Sequence, residues 1–152
     1  MKTEDINESY DLCLPFKRLS PNAIIPHRAH ERDSGLDVHA LESVVIDAFD
    51  FKKVSTGIAC EIPRGYELQI RPRSGLAAKK GVVAAFGTVD MDYRGEIGVT
   101  IFNHNDEPIE ICAGDRIAQI VPARVLLAKP VEFTEELSKT DRGEGGFGST
   151  GM

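Results

Sequence analysis

Apolar residues in this chain almost never recur at helical spacing, and that excludes most folds before any motif is considered. They fall instead in short runs rich in β-branched residues. Leu36 to Ala40 alternates apolar with polar, and Val44 to Ile46 is wholly β-branched. Val54 to Ile62, Tyr66 to Ile70, Ile97 to Asn103, Ile109 to Cys112 and Ile117 to Val121 also read as strands. Turn residues separate them: Gly57, Pro63-Arg64-Gly65, Asn103 to Pro108 and Ala113-Gly114-Asp115. Many short strands at this spacing predict an all-β barrel or sandwich. One interruption, Ser74 to Lys80, has good helix formers behind a serine suited to the N-cap. Glu135 to Lys139 is a candidate for a second helical turn.

The length of 152 residues fits one domain. No apolar run approaches the roughly 20 residues that span a bilayer, so no membrane partner is expected. The polar, acidic segment Met1 to Tyr10 has no secretory pattern. A net charge of −6 argues against broad binding to nucleic acid, yet allows one small anion held by a few local arginines. Cys13, Cys60 and Cys112 form no CxxC pair, and read as reduced, buried thiols in the cytoplasm or another reducing compartment such as a nucleus.

Four internal segments and a tail could carry chemistry. In Arg71-Pro72-Arg73-Ser74-Gly75-Leu76, two arginines precede a helix start, where free N–H groups favour a phosphate. The alternative is a capped helix with two surface arginines. Gly87 to Gly95 runs from an apolar strand into an Asp-x-Asp-Tyr turn and on to Glu96 to Asn103, a β-hairpin by pattern. Its carboxylates suit a general base or a metal's waters, and Tyr93 offers a flat face to a sugar; an ordinary polar turn has the same pattern. Asp37, between apolar neighbours, needs a partner if it faces inward. In Gly114 to Ile120, Arg116 and Gln119 read as solvated side chains, with a phosphate or water as the other option for Gln119. The last stretch, Arg142 to Met152, has five glycines around Phe147, and is either a disordered tail or an arm that orders over a ligand. His27 and His30 have a metal-like spacing without a third ligand.

Taken in order, these segments resemble the five motifs of the trimeric dUTP pyrophosphatase (dUTPase) family. The matching residues are Asp33-Ser34-Gly35-Leu36-Asp37-Val38, Arg71 to Ala77, Gly87 to Gly95, Gly114 to Ile120 and Arg142 to Gly151. The resemblance implies an antiparallel jelly-roll-like β barrel over residues 1–141, with one short helix, and a flexible arm over 142–152. It implies hydrolysis of dUTP to dUMP and pyrophosphate with Mg²⁺, in a homotrimer whose sites are each shared by three chains.

By motif position, Asp90 would be the general base that activates a water for in-line attack on the α-phosphorus. Arg73, Ser74, Gly75 and Gln119 would contact phosphates, and Asp37 would reach Mg²⁺ through water. Val89 would read uracil by its backbone, and Tyr93 would lie under the deoxyribose. From the arm, Arg142 would neutralise the terminal phosphates, Phe147 would stack on uracil, and Gly148, Ser149 and Thr150 would cap the phosphate chain.

The pattern departs from the family in one place that matters. Many bacterial members carry an asparagine shortly before the hairpin aspartate, where this chain reads Ala84-Ala85-Phe86. The nearest rival, dCTP deaminase, shares the fold but lacks this tyrosine turn and phenylalanine arm. A non-catalytic binding protein of the same fold should have lost Asp90, Arg142 or Phe147, and all are present.

Overall fold

The computed structural model describes residues 12–145. In chain order it has strands β1 (Phe16–Arg18), β2 (Leu36–His39), β3 (Val44–Ile46), β4 (Phe51–Val54), β5 (Ile58–Cys60) and β6 (Tyr66–Arg71), then helix α1 (Ser74–Lys80). Strands β7 (Val82–Ala84), β8 (Gly87–Val89), β9 (Val99–Asn103), β10 (Ile109–Ile111) and β11 (Arg116–Arg124) follow. All pairings are antiparallel. A four-stranded sheet, β2-β11-β6-β8, and a three-stranded sheet, β4-β9-β7, are joined by the pairs β1-β5 and β10-β3. The expected all-β, jelly-roll-like architecture with one short helix is the one observed.

The core is a single cluster of aliphatic side chains, with Val38, Ile46, Ile58, Leu68, Val82, Val99, Ile101, Ile111, Ile117 and Ile120 fully buried. Alternate residues of β9 point into it, as a period of two requires. One buried polar side chain closes a turn. Asn103 donates from Nδ2 to the carbonyls of Ile46, Asp47 and Glu107, and its Oδ1 accepts from the Asn105 backbone. Those bonds satisfy groups that burial would otherwise penalise.

Several local expectations are corrected. The run Val54 to Ile62 is two strands, because Gly57 adopts φ 68° and turns the backbone. The apolar run ahead of the Asp-x-Asp-Tyr turn is also divided: β7 pairs with β9, whereas β8 pairs with β6 in the other sheet. The turn is thus not the tip of a simple hairpin between β8 and β9. Strand β11 continues through Pro122 to Arg124 alongside β6; β2 starts only at Leu36, opposite Ile120, so that edge is unpaired beyond it and a missing N–H costs little. Ser74 is not the N-cap; Arg73 is, and it caps without a side-chain bond. Glu135 to Lys139 is not helical. Of the three thiols only Cys60 is buried, and burial raises its pKa to about 11; Cys13 and Cys112 are exposed.

The chain leaves the sheets after Val125, whose N–H donates to Gly65. Beyond it, residues 126–145 have no helix or strand, and Leu126, Leu127, Val131, Phe133 and Leu137 are exposed.

Candidate active site

The predicted residues fall into two clusters within one chain. The first surrounds Asp37. Strand β11 lies between β2 and β6, so Asp37, Gln119 and Arg71 stand side by side across three strands. Arg73, just past β6, brings its Nε to 3.0 Å from Asp37 Oδ1, and Arg116 brings Nη1 to 3.2 Å from Oδ2. Asp37 is buried and therefore needs these partners. Arg116 is exposed, as its sequence context implied, but it is also an ion-pair partner. Gln119 donates from Nε2 to the Pro72 carbonyl at 3.1 Å, which holds its amide beside the start of α1.

Helix α1 begins with Ser74 and Gly75, whose N–H groups precede the helix's own bonds; the first of those run from Leu76 and Ala77 to the Arg73 carbonyl. A Cβ on Gly75 would meet nothing within 4 Å. The bare backbone there is open to a ligand's approach. Next to this start lies a cavity of about 170 Å³ lined by Arg73, Lys80, Asp115 and Arg116. Guanidinium, ammonium and free amide donors together make a place for a polyanion.

The second cluster is the loop after β8. A cavity of about 220 Å³ is lined by Lys53, Thr88, Val89, Asp90, Tyr93, Glu96, Ile97 and Gly98. Among the described residues no strand covers the edge of β8 opposite β6. An edge strand presents backbone donors and acceptors to whatever enters. The Tyr93 hydroxyl donates to the Glu96 carbonyl at 3.0 Å, which fixes the ring over Gly95. Arg94 donates from Nη1 to the Met91 and Tyr93 carbonyls and so stiffens the turn. Across the cavity, Glu96 Oε1 accepts from the Thr56 and Gly57 backbone at 3.1 and 2.8 Å, tying the loop to the bend between β4 and β5.

The register shows how far apart the clusters are. Val89 is opposite Leu68 and Gly87 is opposite Ile70, so Asp90 continues to the level of Glu67. Four residues separate Glu67 from Arg71, about 13 Å along the sheet, and Arg73 lies further in the other direction. Asp90 lines the cavity beside β8, whereas Arg73 lines the one beside α1 and Gln119 bonds to the Pro72 carbonyl. Of the arm, Arg142 is described and exposed, with its Nε donating to the Gly145 carbonyl at 2.8 Å. Phe147, Gly148, Ser149 and Thr150 lie outside the described residues.

Among the described residues, no three His, Cys, Asp or Glu gather to hold a metal ion. His27 stacks on His39 with ring centroids 5.2 Å apart instead of facing a third ligand. A carboxylate has about four acceptor positions, and two arginines leave Asp37 with some to spare. The donor set therefore fits a Mg²⁺ carried on phosphate oxygens and water, with Asp37 reaching its waters, and does not fit a cage of protein ligands.

Sequence reasoning missed Arg116, Glu96 and Lys53. Their partners lie 39 or more positions away for Glu96 and Arg116, beyond any local pattern. The available signal was Gly98 inside a strand-like run, since such a glycine marks the close approach of another group.

A family profile described as dUTPase matches residues 21–151. The deoxyuridine 5'-triphosphate nucleotidohydrolase of Picosynechococcus sp. is 52% identical over 140 residues, covering 91% of this chain and 98% of that protein. The dUTPase of Staphylococcus bacteriophage 80alpha, solved with dUpNHpp, superposes with a TM-score of 0.86 at 30% identity, covering 92% of this chain and 99% of that one. A dUTPase mutant from phage phi11 of S. aureus, solved to show the coordination of a structural Mg(II) ion, superposes with a TM-score of 0.77 at 27% identity, over 82% of this chain and 98% of that one. On sequence and structure alike, this chain belongs to the dUTPase family.

Proposed function

We propose that the chain hydrolyses dUTP to dUMP and pyrophosphate with Mg²⁺, at sites that form only between chains of a homotrimer. The observation that carries this reading is the split of the site. The turn cavity with Asp90 and Tyr93 and the anion cluster with Arg73, Ser74, Gly75 and Gln119 stand at separate places on one chain. A nucleoside triphosphate needs both within one molecule's reach, and symmetric assembly brings the turn of one chain to the anion cluster of the next. The exposed Leu126, Leu127, Val131, Phe133 and Leu137 favour the same conclusion, because so much apolar surface on an extended segment calls for a neighbouring chain to cover it.

In this reading uracil enters the cavity beside β8 and pairs with the uncovered strand edge around Val89, and the deoxyribose packs on Tyr93. Arg73, the Ser74 and Gly75 amides and Gln119 of another chain hold the phosphates. Arg142, Phe147, Gly148, Ser149 and Thr150 close over the nucleotide from the third. Asp90 orients a water and takes its proton as the oxygen attacks the α-phosphorus; the bond to the bridging oxygen breaks and pyrophosphate leaves with the electron pair. Asp37 would hold the waters of a bound Mg²⁺, which would supply charge neutralisation for the triphosphate. Positioning and charge neutralisation dominate chemistry of this kind.

The test is Mg²⁺-dependent pyrophosphate release from dUTP beside dTTP, dCTP and UTP, run with Asp90→Asn and with sedimentation of the purified protein. The expected result is turnover of dUTP alone by a trimer, with Asp90→Asn binding nucleotide but turning over very slowly. A folded protein that leaves dUTP intact with Mg²⁺ present would defeat the proposal.

A further inference from the structure

Lys53 lies in the cavity beside Asp90 and Tyr93 and has no role so far. It sits on β4 opposite Thr100 of β9. Its stem runs over Gly98: a Cβ built on that glycine would stand 3.2 Å from Lys53 Cγ and 3.3 Å from Cδ. Gly98 does not have a positive φ, so a glycine is needed there for space and not for conformation. The space it leaves is a lane along which the lysine stem enters the cavity. The ammonium group makes no hydrogen bond or ion pair among the described residues. An apolar stem packed in place with an unengaged head is a donor held ready.

The cavity says which part of a nucleotide the lysine meets. Besides Lys53 it is lined by the β8 edge at Thr88 and Val89, by Asp90 and by Tyr93. The lysine stem starts level with Thr100 and runs towards Gly98, so its far end lies among these residues. With the sugar on Tyr93 and the reacting phosphorus near Asp90, the group left for the β8 edge is the base. In this chain no side-chain amide precedes the turn to read that base, since Ala84 is buried in β7 and Ala85 and Phe86 follow it.

We infer that Lys53 is a specificity-determining residue, donating from its ammonium to a carbonyl oxygen of the pyrimidine ring. The inference rests on the dUTP reading of the same site. An ammonium has three donors and no acceptor. Uracil presents it with a carbonyl at position 4, whereas cytosine presents an amino group, donor against donor. A buried mismatch of that kind is what lets a polar site reject an analogue.

The experiment compares Lys53→Met, which keeps the stem without charge or donors, and Lys53→Arg, which keeps both, on dUTP and dCTP. The expected result is a KM for dUTP raised about tenfold in Lys53→Met with kcat little changed, a dUTP-over-dCTP preference in kcat/KM reduced by a similar factor, and both recovered in Lys53→Arg. An active wild type together with a Lys53→Met variant of unchanged KM and unchanged preference overturns the role of Lys53 alone. So does tighter dUTP binding in that variant, which would mark the side chain as an obstruction. A wild type inactive on dUTP overturns the wider reading, and Lys53 with it.

Discussion

Gln119 lies across the bare backbone of Gly35, where a Cβ would stand 2.9 Å from Gln119 Cβ and 3.0 Å from its Cδ. Gly35 does not have a positive φ, so the obstacle to an alanine is space: the Gln119 Cβ is fixed to β11, and the strands must part slightly while the rest of the side chain turns away. Gly35→Ala should push the amide off its bond to the Pro72 carbonyl and out of the anion cluster. We expect turnover of dUTP to fall roughly tenfold or more with the fold intact, since small displacements of positioning groups are costly in rate. Steady-state kinetics beside circular dichroism check this, and full activity would remove Gln119 from the site.

Asp37 separates two guanidinium groups that would otherwise repel. Asp37→Asn should release Arg73 and weaken the fold by about 1–2 kcal/mol, the partial exposure of both arginines limiting the loss. Urea unfolding measures the stability, and the Mg²⁺ concentration for half-maximal turnover should rise in the same variant. An unchanged metal requirement would place Asp37 in a purely structural role.

Glu96 satisfies two backbone N–H groups with one oxygen. Glu96→Ala strands both, at a cost of about 2–4 kcal/mol, whereas Glu96→Gln keeps a carbonyl oxygen in place. Thermal unfolding should therefore show a drop of several degrees for alanine and a small one for glutamine. Equal drops would mean that the charge, and not the acceptor, is what matters.

His39 is buried, its Nδ1 has no partner among the described residues, and burial followed by the nearby His27 lowers its pKa below the usual 6.5. The unfolded chain binds the proton more readily, so stability is full above about pH 6.5 and is lost as pH falls towards the folded value. Urea midpoints at pH 7, 6 and 5 should decline in the wild type and decline less in His39→Gln. Parallel declines would exclude His39 as the group responsible.

The thiols should react in two classes. Cys13 and Cys112 are exposed, while Cys60 is buried with a pKa of about 11. Cys60 should stay unlabelled by a thiol reagent at neutral pH until the chain is unfolded; rapid labelling of Cys60 in the native protein would contradict the packing of β5.

What was legible in the sequence was whatever local pattern dictates. Helix α1 lies where its helix formers and the following glycine place it, with Gly81 in a left-handed conformation at its end, although its cap is Arg73 and not the expected Ser74. Most strand segments followed from their period, though β1 and most of β4 did not, and the motifs marked Asp37, Arg73, Asp90, Tyr93 and Gln119 as a set. Pairing was not legible. That β8 joins β6 while β9 joins β4 and β7 depends on which distant edge fits, and one run of apolar residues carries no record of its partner. Arg116 reaching Asp37 across 79 positions, and the Lys53 stem crossing Gly98, arise only when the sheets close. Local sequence determined which groups this protein has available, and the tertiary fold decided which of them meet, because contacts between distant residues depend on the packing of whole strands and on no single segment.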